Sequence, residues 1–247
     1  MTDDATLYRR VRSRLREIEP LRRAYHFLYA VGTALRDSSD RSRAQFEGFY
    51  SGGEDAWHYA GPLEQQRIAL EFGLLDAASS GRNFASALEV GCAEGFFTER
   101  LAARCDNLVA VDISQRSIER AARRCAAWPA VSFECWDVRR WPAGRREAYE
   151  LITAMHVLEY VRSPFAMRRI RARMVDSLRP GGHLLISSVY QGTYGERSWW
   201  GRLLLQGGNW INGYFAAHPQ LRVVATSESD LAVCRSRDVL LRKALRP

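Results

Sequence analysis

The sequence predicts an α/β chain: a doubly wound, mainly parallel Rossmann-like sheet with a C-terminal antiparallel hairpin and an N-terminal helical extension. Three observations predict it. From residue 87 onward, apolar runs of strand length alternate with stretches of helical periodicity. The first run, Ala87-Leu-Glu-Val90, passes straight into a glycine turn, Gly91-Cys-Ala-Glu-Gly95, and then into a helical pattern. The next two runs each lead to an acid, Asp112 and Asp137.

In chain order, residues 5–36 carry a basic amphipathic pattern. Leu7, Val11, Leu15 and Ile18 recur at helical spacing among arginines, and a second stripe of Leu21, Tyr25, Leu28 and Leu35 follows a break at Pro20. Such a helix packs as a lid with a solvated arginine face, or lies on a membrane or nucleic acid. Residues 37–62 read as a polar loop, with Trp57-His58-Tyr59 inside it. Residues 1–62 therefore form an N-terminal helical lid and linker, and residues 63–247 the main domain. A helix occupies 63–78. The helix after the first glycine turn runs over 96–104, with Phe97 and Leu101 on its inner face.

The second strand, Asn107 to Ile113, is followed by a helix capped by Ser114, and the third strand starts at Val131. Tyr149–Met155 is the fourth strand. Ser163-Pro164 opens a helix as cap and first-turn proline, Gly181-Gly182 closes it, and His183–Tyr190 is the fifth strand. Residues 191–220 break the alternation. They are rich in Gly, Trp and Tyr and read as an insertion near the pocket mouth, where Tyr194, Trp199, Trp200, Trp210 and Tyr214 either stack on an acceptor or pack on the sheet. Leu221–Ser227 and Leu231–Ser236 read as the closing hairpin.

Composition narrows the function. The 247 residues suffice for one domain with a large core. The net charge of +8 is carried almost wholly by arginine, with Lys243 the only lysine, and the arginines are spread along helices rather than clustered. Nucleic acid is therefore disfavoured as a partner, while a positive balance steers acidic molecules inward. Five cysteines with no C-x-x-C spacing point to buried, reduced thiols in a cytoplasmic protein. No signal-like segment is read at the N-terminus, and no apolar run approaches the roughly 18–20 residues of a membrane span.

The glycine turn places a helix N-terminus and free backbone N–H groups at the carboxyl edge of the sheet, where ligands bind in open parallel sheets. A dinucleotide fold needs G-x-G-x-x-G, but this turn has only Gly91 and Gly95, and Glu94 between them would repel a pyrophosphate. An adenosyl ligand without phosphates fits better, and S-adenosylmethionine meets that description. Glu89 would accept from its ammonium. Asp112, about 20 residues beyond the first glycine, would accept both ribose hydroxyls. Asp137 would accept from the adenine amino group while Val138 offers its N–H. Arg67, if not simply exposed, would face the cofactor carboxylate.

With Glu89-Val-Gly-Cys-Ala-Glu-Gly95, Val111-Asp112-Ile113-Ser114, Asp137-Val138 and Leu178-Arg-Pro-Gly-Gly182 in place, the sequence resembles the class I S-adenosylmethionine-dependent methyltransferases. Asp55-Ala-Trp57-His-Tyr59 and Glu64-Gln-Gln-Arg67 make it most similar to the nodulation-factor N-methyltransferase type, a small-molecule branch, over roughly residues 50–240. The resemblance implies that Trp57 and Tyr59 cover bound cofactor, beside the alternative that they pin the linker. It also brings Cys92, Ile113 and Met155 to the cofactor, and implies S-adenosylhomocysteine as product.

The expected activity is methyl transfer to an amine or hydroxyl of a small molecule, for which a sugar-containing, secondary-metabolite or acidic acceptor is a candidate. The oligomeric state stays open. His156 follows the fourth strand, with Glu159 one turn on. It suits a general base or an acceptor-orienting group tuned by Glu159, with His58 and Tyr190 in reserve. Catalysis by proximity alone needs no base. A metal is not expected, because His156 and Glu159 form a single H-x-x-E pair without a second ligand cluster. The competing readings are an RNA methyltransferase that uses the basic N-terminal helix, and a cofactor-binding scaffold without turnover.

Overall fold

The computed structural model describes residue 32 and residues 38–79, 81–189, 208–231 and 234–245. The predicted basic helix of 5–36, apart from Gly32, lies outside the described residues. So do residues 191–207, with Tyr194, Trp199 and Trp200, and Tyr190.

Among the described residues the elements follow in the order α1 (Ser39–Phe49), α2 (Pro62–Ser79), β1 (Ala87–Val90), α3 (Phe96–Ala102), β2 (Leu108–Asp112), α4 (Gln115–Arg124), β3 (Val131–Cys135), β4 (Tyr149–Met155), α5 (Pro164–Ser177), β5 (Leu178–Val189), α6 (Gly208–Ala216), β6 (Leu221–Leu231) and β7 (Cys234–Lys243). Two 3-10 turns, Val138–Arg140 and Leu158–Tyr160, follow β3 and β4.

The strands form one sheet in the order β3-β2-β1-β4-β5-β7-β6. β1 pairs in parallel with both β2 and β4, and β5 continues the parallel set. β7 runs antiparallel between β5 and β6. The chain reverses direction across the sheet between β1 and β4, so a crevice opens beyond their carboxyl ends. β1 is buried along its whole length, as a central strand covered on both faces must be. One core lies under α5 and α6, with Met167, Ile170, Met174, Ile211 and Phe215. The other lies under α2 and α3, with Ile68, Phe72, Leu75, Phe97 and Leu101. This is a Rossmann-like architecture, doubly wound and closed by the antiparallel hairpin.

Three local expectations are corrected. The polar stretch after residue 37 contains a helix, α1. Ser38 caps it by accepting from the Arg41 N–H, and Asp40 sits in its first turn. Its few apolar residues concealed it from a periodicity argument; the cap was the readable signal. The glycines at 181 and 182 do not close α5. That helix stops at Ser177, and Leu178 already pairs with Tyr149, so both glycines sit at an irregularity within β5, Gly181 at φ +79°. The hairpin lies further along the chain than expected: Ser229 and Asp230 belong to β6, and β7 extends to Lys243. The alternating polar text of Ser227-Glu-Ser-Asp230 looks like a turn, but on an edge strand it is ordinary.

Lys243 ends β7, and its Nζ donates to the carbonyls of Val175 and Leu178, both at 2.8 Å. It thereby satisfies acceptors left free at the C-terminal end of α5. No described helix is long and apolar enough to cross a membrane.

Candidate active site

The crevice at the β1–β4 switch holds a cleft. Its floor is laid by the glycine turn. Gly91 has φ +81°, and a Cβ there would stand 2.8 Å from the side chain of Val157. Gly95 has φ +85°, and a Cβ there would stand 2.9 Å from the Cα of Ala121. Both positions therefore demand glycine, the first for backbone approach to the cleft and the second for packing of α3 on α4. Gly95 itself does not line the cleft.

The two strand-end acids are held by backbone. Asp112 is buried; its Oδ2 accepts from Ala93 N at 3.0 Å and its Oδ1 from Ser114 N at 3.0 Å. Burial raises its pKa, and these N–H groups oppose the rise. Asp137 caps the first 3-10 turn by accepting from Arg139 N at 2.8 Å, and it pairs with the Arg139 guanidinium at 3.0 Å. Both carboxylates face the cleft, as do Ile113 and Val138.

The roof comes from the stretch that read as a loop. Glu94 does not face the cleft. It accepts from Asp55 N at 3.1 Å and Ala56 N at 2.8 Å, and pairs with Arg120 at 2.5 Å. Its charge is thus neutralised, so the repulsion argued from it against phosphates does not operate in the fold. Arg120 also donates to the carbonyls of Tyr50, Gly52 and Gly53. Asp55 in turn accepts from Tyr59 N and Ala60 N. These bonds seat Trp57 and Tyr59 on the cleft, and Trp57 Nε1 donates to the buried Tyr50 hydroxyl at 2.8 Å. The two aromatics pin the stretch and line the cleft at once. Phe46 of α1 adds a wall, edge-on to Tyr160 with centroids 5.1 Å apart. Phe46, Tyr50 and Tyr160 were not read from the sequence as site residues. His58 is exposed and does not line the cleft.

A smaller cavity adjoins beside α2, shared by Tyr59, Gly91 and Met155 and bounded by Arg67, Glu71, Glu89 and Cys92. Glu89 is 2% exposed, and its Oε2 has no hydrogen-bond partner. Burial lifts its pKa to about 8. Arg67 is buried rather than exposed, bonded to Glu64 through Nε at 2.8 Å and clamped to Glu71 through Nη1.

His156 lines the cleft just after the end of β4, at φ +50°. Its Nδ1 is 3.6 Å from Glu159 Oε1, and its Nε2 is 3.6 Å from Glu71 Oε1 and 2.8 Å from Ser187 Oγ. Burial and Arg67 press its pKa down, but Glu159 and Glu71 together outweigh them and raise it to about 9. Glu159 is buried behind the histidine and does not itself line the cleft. Ser187 and Asp238, on β5 and β7, complete the group, and no sequence spacing pointed to them. Trp210 and Tyr214 stack on each other at 4.8 Å, Tyr214 lies under Arg171, and both pack on the core under α6 rather than on the cleft. No cluster of metal ligands is present among the described residues.

A family model described as "Nodulation protein S (NodS)" matches residues 52–208. The chain belongs to the NodS family. It is 35% identical over 137 residues to nodulation protein S of Bradyrhizobium diazoefficiens, which spans 55% of this chain and 63% of that protein. It is 36% identical to nodulation protein S of Rhizobium tropici over 55% of this chain and 56% of that protein. The chain thus matches less than two thirds of the length of these relatives. The crystal structure of the N-methyltransferase NodS from Bradyrhizobium japonicum WM9, in complex with S-adenosyl-L-homocysteine, superposes with a TM-score of 0.69 at 26% identity. It covers 81% of this chain and 97% of that one.

Proposed function

We propose that this NodS-family chain is an S-adenosylmethionine-dependent methyltransferase that modifies an amine or hydroxyl of a small molecule, with amines favoured. The observation that carries the reading is Glu89: a buried carboxylate with an unpartnered oxygen on a cavity that opens to the cleft. Such a group calls for a cation. The ammonium of S-adenosylmethionine supplies one, and S-adenosylhomocysteine keeps the same ammonium after transfer. Asp112 retains free lone pairs for the ribose hydroxyls, since each carboxylate oxygen accepts more than one bond. Asp137 and Val138 suit the adenine edge, with Ile113 and Met155 as apolar walls and Trp57 and Tyr59 as cover. Arg67, Gly91 and Cys92 border the methionine end.

Bound there, the cofactor would supply a methyl carbon already activated by a sulfonium. The chain's task is alignment and removal of one acceptor proton. His156 is the group placed to take it. Around it stand three carboxylates, Glu71, Glu159 and Asp238, against Arg67 and the imidazolium itself. That negative surplus suits a cationic acceptor better than a neutral alcohol, and cations brought beside His156 lower its pKa from about 9 toward the working range. The acceptor is a small molecule, with sugar-bearing amines the first class to try. The cysteines at 92, 105, 125 and 135 are unpaired, which supports a reducing, cytoplasmic setting.

The test is transfer of labelled methyl from S-adenosylmethionine into amino sugars and amino glycosides, or into their hydroxyl analogues. Label in the amine pool, with a loss of about 100-fold or more in His156→Ala, is the expected result. Label in the hydroxyl pool alone would move the enzyme to O-methylation. Binding without transfer to either pool would defeat the small-molecule reading.

A further inference from the structure

Ser187 and Asp238 are register partners on β5 and β7, and Met155 is the register partner of Ser187 on β4. A row of side chains therefore crosses three strands at the carboxyl edge of the sheet. Ser187 and Asp238 are fully buried. Ser187 Oγ donates to Asp238 Oδ1 at 2.5 Å and lies 2.8 Å from His156 Nε2. A hydroxyl has one proton. With that proton on the aspartate, Oγ can only accept from the ring, so Nε2 must carry hydrogen. The reverse arrangement would need the proton on Asp238 itself, and that carboxyl, raised by burial only to about 6, is ionised at neutral pH. Glu71 Oε1 does not compete for Nε2, being 3.6 Å away and already clamped by Arg67.

We propose that Asp238 is a positioning residue which, through Ser187, fixes His156 with Nε2–H and so assigns proton exchange with the acceptor to Nδ1. The kinetic side of this rests on the base reading given above. Ser187 is no nucleophile, because its proton points away from the cleft and its oxygen is buried. Nδ1 is left as the variable nitrogen, 3.6 Å from Glu159 Oε1. When the acceptor nitrogen forms its bond to the methyl carbon, the S–C pair stays on sulfur. The proton that the acceptor ammonium must first lose to free its attacking lone pair passes to Nδ1, beside a carboxylate that stabilises it. The C-terminal hairpin thus closes the sheet and also sets the tautomer of the histidine.

The charged groups around the ring are Arg67 and Glu71 from α2, Glu159 from the second 3-10 turn and Asp238 from β7. The test reads the ring directly, by nitrogen NMR of full-length protein carrying 15N-histidine, with His156 assigned by its absence in His156→Gln. The native ring should show Nε2–H throughout, with titration confined to Nδ1. Ser187→Ala should release the tautomer into a mixture, and Ser187→Thr, which keeps the hydroxyl, should restore it. Asp238→Asn should lower the titration by about one pH unit through loss of the nearby charge. In turnover, Ser187→Ala and Asp238→Asn should lose about tenfold in kcat, with KM for S-adenosylmethionine within about twofold and the acid limb moved to lower pH. Ring signals in Ser187→Ala and Asp238→Asn that match native protein would overturn the proposal. Undiminished turnover in His156→Ala would bring down the base reading instead, and the ring signals would still decide the tautomer.

Discussion

The two halves of the cleft are built by opposite means. On the β1–β2–β3 side Asp112, Asp137 and Glu94 are each fastened by nearby backbone: Asp112 by Ala93 and Ser114, Asp137 by Arg139, Glu94 by Asp55 and Ala56. On the β4–β5–β7 side the charges fasten one another: Arg67 to Glu64 and Glu71, His156 to Glu71 and Glu159, Ser187 to Asp238. Backbone-held acids keep their geometry whatever their protonation. A side-chain network shifts with every proton it gains or loses. The first half is suited to holding a constant ligand, the second to moving a proton.

The firmest way to break the backbone-held half is Gly91→Ala. Its Cβ would meet Val157 at 2.8 Å, and the residue would keep a left-handed φ. Calorimetry should find S-adenosylmethionine affinity down about 100-fold or more, and adding Val157→Gly should recover all but the roughly 1–2 kcal/mol of backbone strain. Asp112→Ala comes next. It strands two buried N–H groups and should cost about 2–4 kcal/mol of stability by denaturant melts, with affinity down about 30-fold. Unchanged affinity would remove Asp112 from the site.

Glu89, on β1 but with an oxygen that nothing fastens, should answer to pH, as should the charge-held half. Glu89 titrates near 8 in the free protein and must ionise to meet an ammonium. Binding should therefore weaken about fivefold between pH 8 and pH 7 and release a fraction of a proton, seen as buffer-dependent heats; Glu89→Gln should abolish the dependence. The smallest change in affinity is expected from His156→Gln, within about twofold. Its mark is on the stability of the free protein. A histidine raised from 6.5 to about 9 stabilises the fold fully below pH 6.5, and that contribution fades as pH climbs through 9. Native protein should lose melting temperature over that window, and the variant should not.

The same contrast explains what the sequence could tell. Gly91, Asp112 and Asp137 were legible because each lies at the end of its own apolar run, and a strand followed by an acid is a local pattern. Tyr50 and Phe46 were missed because α1 announces itself only through its Ser38 cap. Ser187 and Asp238 were beyond reach. They stand 31 and 82 residues from His156 in sequence and meet only because β7 inserts between β5 and β6. Glu94 misled for a related reason: its neighbours in sequence suggested a cleft-facing charge, while its partner Arg120 comes from α4.

Lys243 has a chemical consequence of its own. It is the only lysine in the sequence, and its ammonium is buried against Val175 and Leu178. Acylating reagents aimed at ε-amines therefore find that target shielded while β7 is seated. Modification at Lys243 becomes a clock for the opening of the hairpin, counting how often the strand that carries Asp238 leaves the sheet.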